Sequence, residues 1–140
     1  MTEVFKVSVT TLARFMEEIV PTLLLVDDDD TTRIGIRMML EKGGYRDIID
    51  TDDGATALDL FKTNNIDLLI TDLERPGMDG VALIRAVRRI DPNAKILVVS
   101  AYSEDTVRRL LDNDISIPYL PKPFDRRVLL ALVERVFAAK

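Results

Sequence analysis

The sequence contains no cysteine and no histidine. Without cysteine, the chain can form neither a disulfide framework nor a thiolate metal site. Without histidine, it has no imidazole to act as a general acid or base, to bind zinc or to carry phosphate. Any chemistry performed by this chain must therefore use other polar groups, among which carboxylates are abundant.

Tryptophan is also absent, and aromatic residues make up only 6% of the 140 residues, although 47% are apolar. That length suits one domain with a substantial core. The net charge of −5 argues against a nucleic-acid-binding face. No apolar run approaches the roughly 20 residues of a membrane span, and the N-terminus lacks a signal-peptide pattern. We therefore expect a cytoplasmic protein that binds neither nucleic acid nor membrane directly.

Residues 1–21 are predicted to be an N-terminal extension of a domain that spans residues 22–140. An alternating stretch at residues 5–9 is typical of a short strand, and apolar residues at helical spacing follow over residues 12–19. No chemistry is visible in this extension. We expect it to pack on the domain or on a partner.

From residue 22 onward, five apolar strand patterns alternate with five helical patterns. The predicted strands are Leu23–Val26, Ile48–Ile49, Ile66–Asp72, Ile96–Val99 and Ile115–Leu120. Pro118 interrupts the last of them, which indicates an edge strand. Alternation of this kind predicts a parallel sheet with helices on both faces.

The helix boundaries are marked by capping residues. The predicted N-caps are Asp30, Asp79, Ser103 and Asp125, and the first helix is expected to stop at Gly43-Gly44. The apolar spacing predicts that Ile90 of the third helix and Val128 of the fifth point inward.

Polar residues end or follow four of the five predicted strands, where open parallel sheets bind their ligands. These residues are Asp27 and Asp28 after the first strand, Asp72 as the last residue of the third, Ser100 after the fourth and Lys122 after the fifth. The run Asp27–Asp30 would suffer mutual repulsion unless a cation sat there. Asp72 either presents a carboxylate at a site or only caps the turn that follows it.

Four motifs carry a resemblance to a known family. They are Val26-Asp27-Asp28, Asp72 with Pro76-Gly77-Met78-Asp79-Gly80, Ser100-Ala101, and Tyr119-Leu120-Pro121-Lys122-Pro123-Phe124. The chain from about Thr22 to Lys140 resembles the receiver domain of two-component response regulators, the phosphoacceptor module also found alone in chemotaxis-type regulators. The resemblance implies a doubly wound (βα)5 flavodoxin-like three-layer sandwich, with a five-stranded parallel sheet in the order 2-1-3-4-5.

The resemblance also implies roles for individual residues. Asp72 would take a phosphoryl group from a partner histidine kinase or phosphotransfer protein, while Lys122 and Ser100 would each contact a phosphoryl oxygen. Mg²⁺ or Mn²⁺ would be held by Asp27, Asp28, Asp72 and the backbone carbonyl of Glu74. Such a protein is a switch with self-catalysed phosphotransfer and autodephosphorylation rather than an enzyme.

The implied output is a change in the surface formed by the fourth helix, the fifth strand and the fifth helix. Tyr119 would be the switch aromatic of this surface, or else an ordinary half-buried strand aromatic. A homodimer through this surface is compatible with the resemblance, and the downstream effector is not readable from the sequence. The resemblance further implies a cis Lys122–Pro123 bond and places Glu74 and Tyr102 where they would modulate dephosphorylation.

Two other interpretations remain open at this stage. The acidic run followed by Thr31 also resembles the start of haloacid-dehalogenase-like phosphatases, in which Asp27 would be the nucleophile. The closing acidic pair of that family is absent, however, because only Asp125 and Glu134 follow Lys122. The other interpretation is a pseudo-receiver that binds a partner without being phosphorylated.

Overall fold

The computed structural model describes residues 8–12, 20–74 and 79–139. The strands are β1 (Thr22–Val26), β2 (Asp47–Thr51), β3 (Leu68–Thr71), β4 (Ile96–Ser100) and β5 (Tyr119–Pro121). The helices are α1 (Asp30–Lys42), α2 (Gly54–Thr63), α3 (Gly80–Ile90), α4 (Glu104–Leu110) and α5 (Arg126–Ala138). Within these described ranges, no helix has both the length and the apolar character needed to cross a membrane.

The five strands form one parallel sheet in the order β2-β1-β3-β4-β5, which confirms the predicted topology and the edge position of β5. The register aligns the carboxyl ends of neighbouring strands. Val26 pairs with both Thr51 and Thr71, and Ser100 pairs with Pro121. Residues that immediately follow these strands are therefore brought to one edge of the sheet.

A hydrophobic core lies on each face of the sheet. Leu24, Val26 and Leu69 belong to one core, whereas Leu23 and Leu25 belong to the other. Because side chains alternate between the two faces of a strand, a strand covered by helices on both sides is apolar throughout. This burial explains the continuous apolar runs of β1, β3 and β4.

The predicted extension lies mostly outside the described residues, since residues 1–7 and 13–19 are not described. Residues 9–12 form a helical turn. Val9 therefore does not extend a strand, and the residue is 83% exposed.

Several local predictions were wrong. The N-cap of α1 is Asp29, whose carboxylate accepts from the Thr32 N–H, so Asp30 already belongs to the first turn. Ile90 is exposed because it is the last residue of α3, one turn beyond the buried Val87. Val128 is exposed because it lies about 100° around α5 from the buried Leu129.

The fifth strand is shorter than predicted. The segment after α4 turns through Asp112 and Asn113, which have φ values of 54° and 59°, and pairing with β4 begins only at Tyr119. Ile115 is 87% exposed in this turn and does not belong to the strand.

Candidate functional site

Three carboxylates meet at the carboxyl edge of the sheet. Asp27 and Asp72 directly follow the neighbouring strands β1 and β3, and each is only 2% exposed. Asp28 is exposed beside them. One carboxylate oxygen from each of these three residues lies within 4.8 Å of the others. Oxygen ligands at this spacing suit Mg²⁺, because a hard cation removes the repulsion between them.

Lys122 supplies one positive charge to this cluster. Its position is fixed by the sheet, since its N–H donates to the Ser100 carbonyl oxygen at 2.9 Å beyond the end of β5. Its ammonium Nζ lies 3.1 Å from Asp27 Oδ2. This ammonium offsets the charge of one of the three carboxylates, and an added cation would offset the repulsion between the others.

Ser100 and Glu74 are joined by a hydrogen bond that the sequence did not predict. The fully buried Ser100 hydroxyl donates to Glu74 Oε1 at 2.8 Å and accepts from the Tyr102 N–H at 3.0 Å. The side chain of Glu74 therefore reaches from the end of β3 to the end of β4. Its backbone carbonyl as a metal ligand stays a prediction.

Tyr119 is tied to the loop that follows Ser100. Its hydroxyl donates to the Tyr102 carbonyl oxygen at 2.5 Å, and its half-buried ring packs against one of the two cores. Burial raises the pKa of the Tyr119 hydroxyl, and the negative charges of Glu104 and Glu74 raise it further. The movement of this ring as a switch stays a prediction.

The acidic run after β1 is folded by local hydrogen bonds. The Asp29 N–H donates to Asp27 Oδ1 at 2.9 Å, which orients that carboxylate. Hydrogen bonds from Thr32 hold the pKa of Asp29 below its usual value. Arg33 donates to the Asp27 carbonyl oxygen at 2.8 Å. Sequence reasoning overlooked Arg33, because spacing along a helix reveals only its pairing with Asp30.

Gly80 brings the start of α3 against the backbone that carries Asp72. A Cβ at Gly80 would lie 1.9 Å from the Asp72 carbonyl oxygen and 2.7 Å from the Leu73 Cα. The helix begins with the predicted N-cap, since the Asp79 carboxylate accepts from the Ala82 N–H at 2.8 Å. Residues 75–78, which include Pro76-Gly77-Met78 of the predicted motif, and Lys140 lie outside the described part of the chain. The Lys122–Pro123 bond is cis, as the resemblance implied.

The fold and site together define a doubly wound α/β protein with an acidic pocket at the carboxyl edge of its sheet. The family model of the response regulator receiver domain matches residues 23–134. The chain therefore belongs to the response regulator receiver domain family of two-component phosphorelay signalling. Members of this family are phosphoacceptor signalling domains rather than conventional enzymes, and they generally bind Mg²⁺ in an acidic pocket and interact with histidine kinases or phosphotransfer proteins.

The similarity to known proteins extends over more than four fifths of this chain. The chain is 34% identical to the chemotaxis protein CheY of Pseudomonas aeruginosa, over 82% of this chain and 94% of that protein. It is also 34% identical to the sensor kinase CckA of Brucella abortus, but it spans only 12% of that protein's length. A putative response regulator from Chloroflexus aurantiacus has a similar structure, with a TM-score of 0.78 and 31% identity over 86% of this chain and 99% of that one.

Proposed function

We propose that Asp72 accepts a phosphoryl group from a phosphohistidine on a partner kinase or phosphotransfer protein. A carboxylate oxygen of Asp72 attacks phosphorus, and the bond from phosphorus to the histidine nitrogen breaks. The observation that carries this proposal is the buried position of Asp72 beside Asp27 and Asp28, in a cluster where the Lys122 ammonium already binds Asp27. The domain proposed to do this spans residues 22–140, with residues 1–21 as its extension.

The residues around Asp72 would mainly offset the negative charge of the carboxylates and of the incoming phosphoryl group. We assign Asp27, Asp28, Asp72 and the Glu74 carbonyl as the oxygen ligands that would hold Mg²⁺ or Mn²⁺. The bound cation would supply positive charge to offset the repulsion between the carboxylates and the incoming phosphoryl group. Lys122 would turn from Asp27 to contact one phosphoryl oxygen.

Ser100 would donate its hydroxyl to another phosphoryl oxygen. In the structure this hydroxyl is bound to Glu74, so the Ser100–Glu74 hydrogen bond must break first. The new acceptor carries more negative charge than one carboxylate oxygen, which favours the exchange. Glu74 and Tyr102 flank Ser100 through direct hydrogen bonds, which supports their predicted influence on dephosphorylation.

A direct test is phosphoryl uptake from a small phosphodonor. We expect the protein incubated with acetyl phosphate and Mg²⁺ to gain the mass of one phosphoryl group, in an acid-labile form, by intact-protein mass spectrometry. The gain should disappear when a chelator removes the divalent cation. Uptake that is unaffected by the chelator would contradict the proposed metal requirement.

Metal binding should also stabilise the fold. A cation that binds only the native state at ten times its Kd adds about 1.4 kcal/mol, so Mg²⁺ is expected to raise the melting midpoint. Asp28→Ala should lose this shift while melting no earlier than the parent without Mg²⁺, because one repulsive charge is gone. Asp59→Ala, on the exposed side of α2, is the matched control and should keep the shift. An equal Mg²⁺ shift in Asp28→Ala would argue against the site.

We further propose that α4, β5 and α5 form the output surface, through which a homodimer or an effector would bind. Ser100 and Lys122 precede α4 and α5 in the chain, and Tyr119 connects β5 to the loop before α4. Phosphorylation is expected to alter amide hydrogen exchange mainly in residues 100–125, because Ser100 and Lys122 would contact the phosphoryl group. A bias of only a few kcal/mol between two packing arrangements of this surface would shift their populations strongly. Changes confined to residues 30–60 would place the output surface elsewhere.

A further inference from the structure

Arg33 connects three parts of the chain beside the acidic cluster. Its guanidinium donates from Nη1 to the Asp27 carbonyl oxygen at 2.8 Å, from Nη2 to Asp30 Oδ1 at 2.7 Å and from Nε to Asp50 Oδ1 at 3.1 Å. The side chain is only 14% exposed. Arg37, one turn later on α1, also binds the Asp50 carboxylate but pairs on its other side with Glu41. Arg33 thus links the end of β1, the first turn of α1 and β2.

We propose that Arg33 is a positioning residue for the metal ligands Asp27 and Asp28, an inference that rests on the proposed function. The Asp27 carbonyl and the Asp28 N–H belong to one planar peptide group. Fixing the direction of that carbonyl therefore fixes the plane from which the Asp28 side chain departs. The Asp29 N–H, which belongs to the next peptide group, donates to the Asp27 carboxylate and orients it.

The fork shape of the guanidinium is what this role requires. The rigid planar guanidinium donates hydrogen bonds to three acceptors that lie in different directions. A lysine ammonium lacks this fixed geometry and could not bind all three in the same way. Hydrogen bonds that orient metal ligands from behind typically change metal affinity by about 10–100-fold when they are removed. The effect expected of Arg33 belongs at the lower end of that range, because it holds the ligands through their backbone.

The charge of Arg33 and its positioning role predict opposite effects on Mg²⁺ affinity when Arg33 is replaced. A cation beside a Mg²⁺ site opposes metal binding by Coulomb repulsion, so its removal should strengthen binding if charge were its only contribution. If Arg33 positions the ligands, its removal should weaken binding in spite of the lost repulsion. Substitutions that keep or remove the charge therefore separate the two effects.

The experiment measures the Mg²⁺ dissociation constant by isothermal titration calorimetry on the full chain. Arg33→Lys keeps the charge and loses the fork, and we expect its Kd to rise about tenfold. Arg33→Gln removes the charge and should also bind Mg²⁺ more weakly than the parent. Arg37→Lys is the matched control, because it also replaces a guanidinium bound to the Asp50 carboxylate by an ammonium but does not alter a contact with Asp27. Its Kd for Mg²⁺ should stay within about twofold of the parent value.

Phosphoryl uptake gives an independent readout. In Arg33→Lys, the Mg²⁺ concentration for half-maximal uptake should rise by a similar factor, while the rate at saturating Mg²⁺ stays near that of the parent. A Kd unchanged in Arg33→Lys, or lowered in Arg33→Gln, would overturn the positioning role. If Arg33→Lys failed to fold, the Arg33→Gln result would decide. A parent protein that binds no Mg²⁺ would instead contradict the proposed function itself.

Discussion

Asp72→Asn is expected to abolish uptake of acid-labile phosphate from a small phosphodonor, with a loss of at least about 100-fold in rate. The amide has nearly the same shape as the carboxylate but cannot attack phosphorus with an anionic oxygen. The variant should remain folded, because the substitution removes one of three mutually repelling charges from a position that is 2% exposed. Intact-protein mass spectrometry and a melting curve on the same sample measure both effects.

Asp52→Asn is the matched control for this variant. Asp52 follows β2 at the same edge of the sheet, but it is exposed and lies outside the group of three acids. Its uptake should equal that of the parent. Acid-labile phosphate on Asp72→Asn would disprove the acceptor assignment, and phosphate found on Asp27 would revive the phosphatase-like interpretation that the family match does not favour.

Gly80→Ala is expected to lose about 3 kcal/mol or more of unfolding free energy. The added methyl group would lie 1.9 Å from the Asp72 carbonyl oxygen, and neither this backbone nor the start of α3 can move without disturbing the buried residues around them. The same displacement would shift Asp72 itself. We therefore expect slower phosphoryl uptake in whatever fraction of the variant remains folded. Urea denaturation gives the stability change.

Gly35→Ala tests whether this loss comes from crowding or from any replacement of glycine. Gly35 lies inside α1, and a Cβ there would meet no atom within 4 Å apart from its chain neighbours and the backbone of its own helix. Alanine is favoured over glycine in a helix, so this variant should be about 0.5–1 kcal/mol more stable than the parent. A Gly80→Ala protein as stable as the parent would show that α3 does not hold the backbone at Asp72.

The sequence was most informative where one chemical rule dominates. Alternating apolar and amphipathic segments predicted the five strands and five helices, and the register then brought Asp27 and Asp72 together as expected. Burial of individual residues was harder to predict, because Ile90 and Val128 satisfy a helical period and yet lie at a helix end or at the margin of a buried face. Helical spacing of apolar residues predicts which side of a helix faces the sheet. It does not predict how far the sheet extends beneath that side.

Contacts between distant side chains were the other part that the sequence could not supply. The Ser100–Glu74 hydrogen bond joins residues 26 positions apart, and the Arg33–Asp50 ion pair joins residues 17 apart. The first depends on the conformation of the loop after β3, and the second depends on how α1 lies against β2. Local residue preferences determine neither. The residue types at the strand ends therefore predicted which residues form the site. The hydrogen-bond and ion-pair partners of these residues could be identified only from the structure.

The bridge between Lys122 and Asp27 has a consequence for biosynthesis. Its two ends are separated by 95 positions, so the acids emerge from the ribosome long before the lysine. Because chains are made at about 5–20 residues per second, several seconds pass in which a nascent chain carries the acidic strand ends without their ammonium partner. A truncated translation product that stops before β5 would lack this cation entirely. The acidic cluster therefore gains this ammonium only in chains whose last strand has been made and added to the sheet.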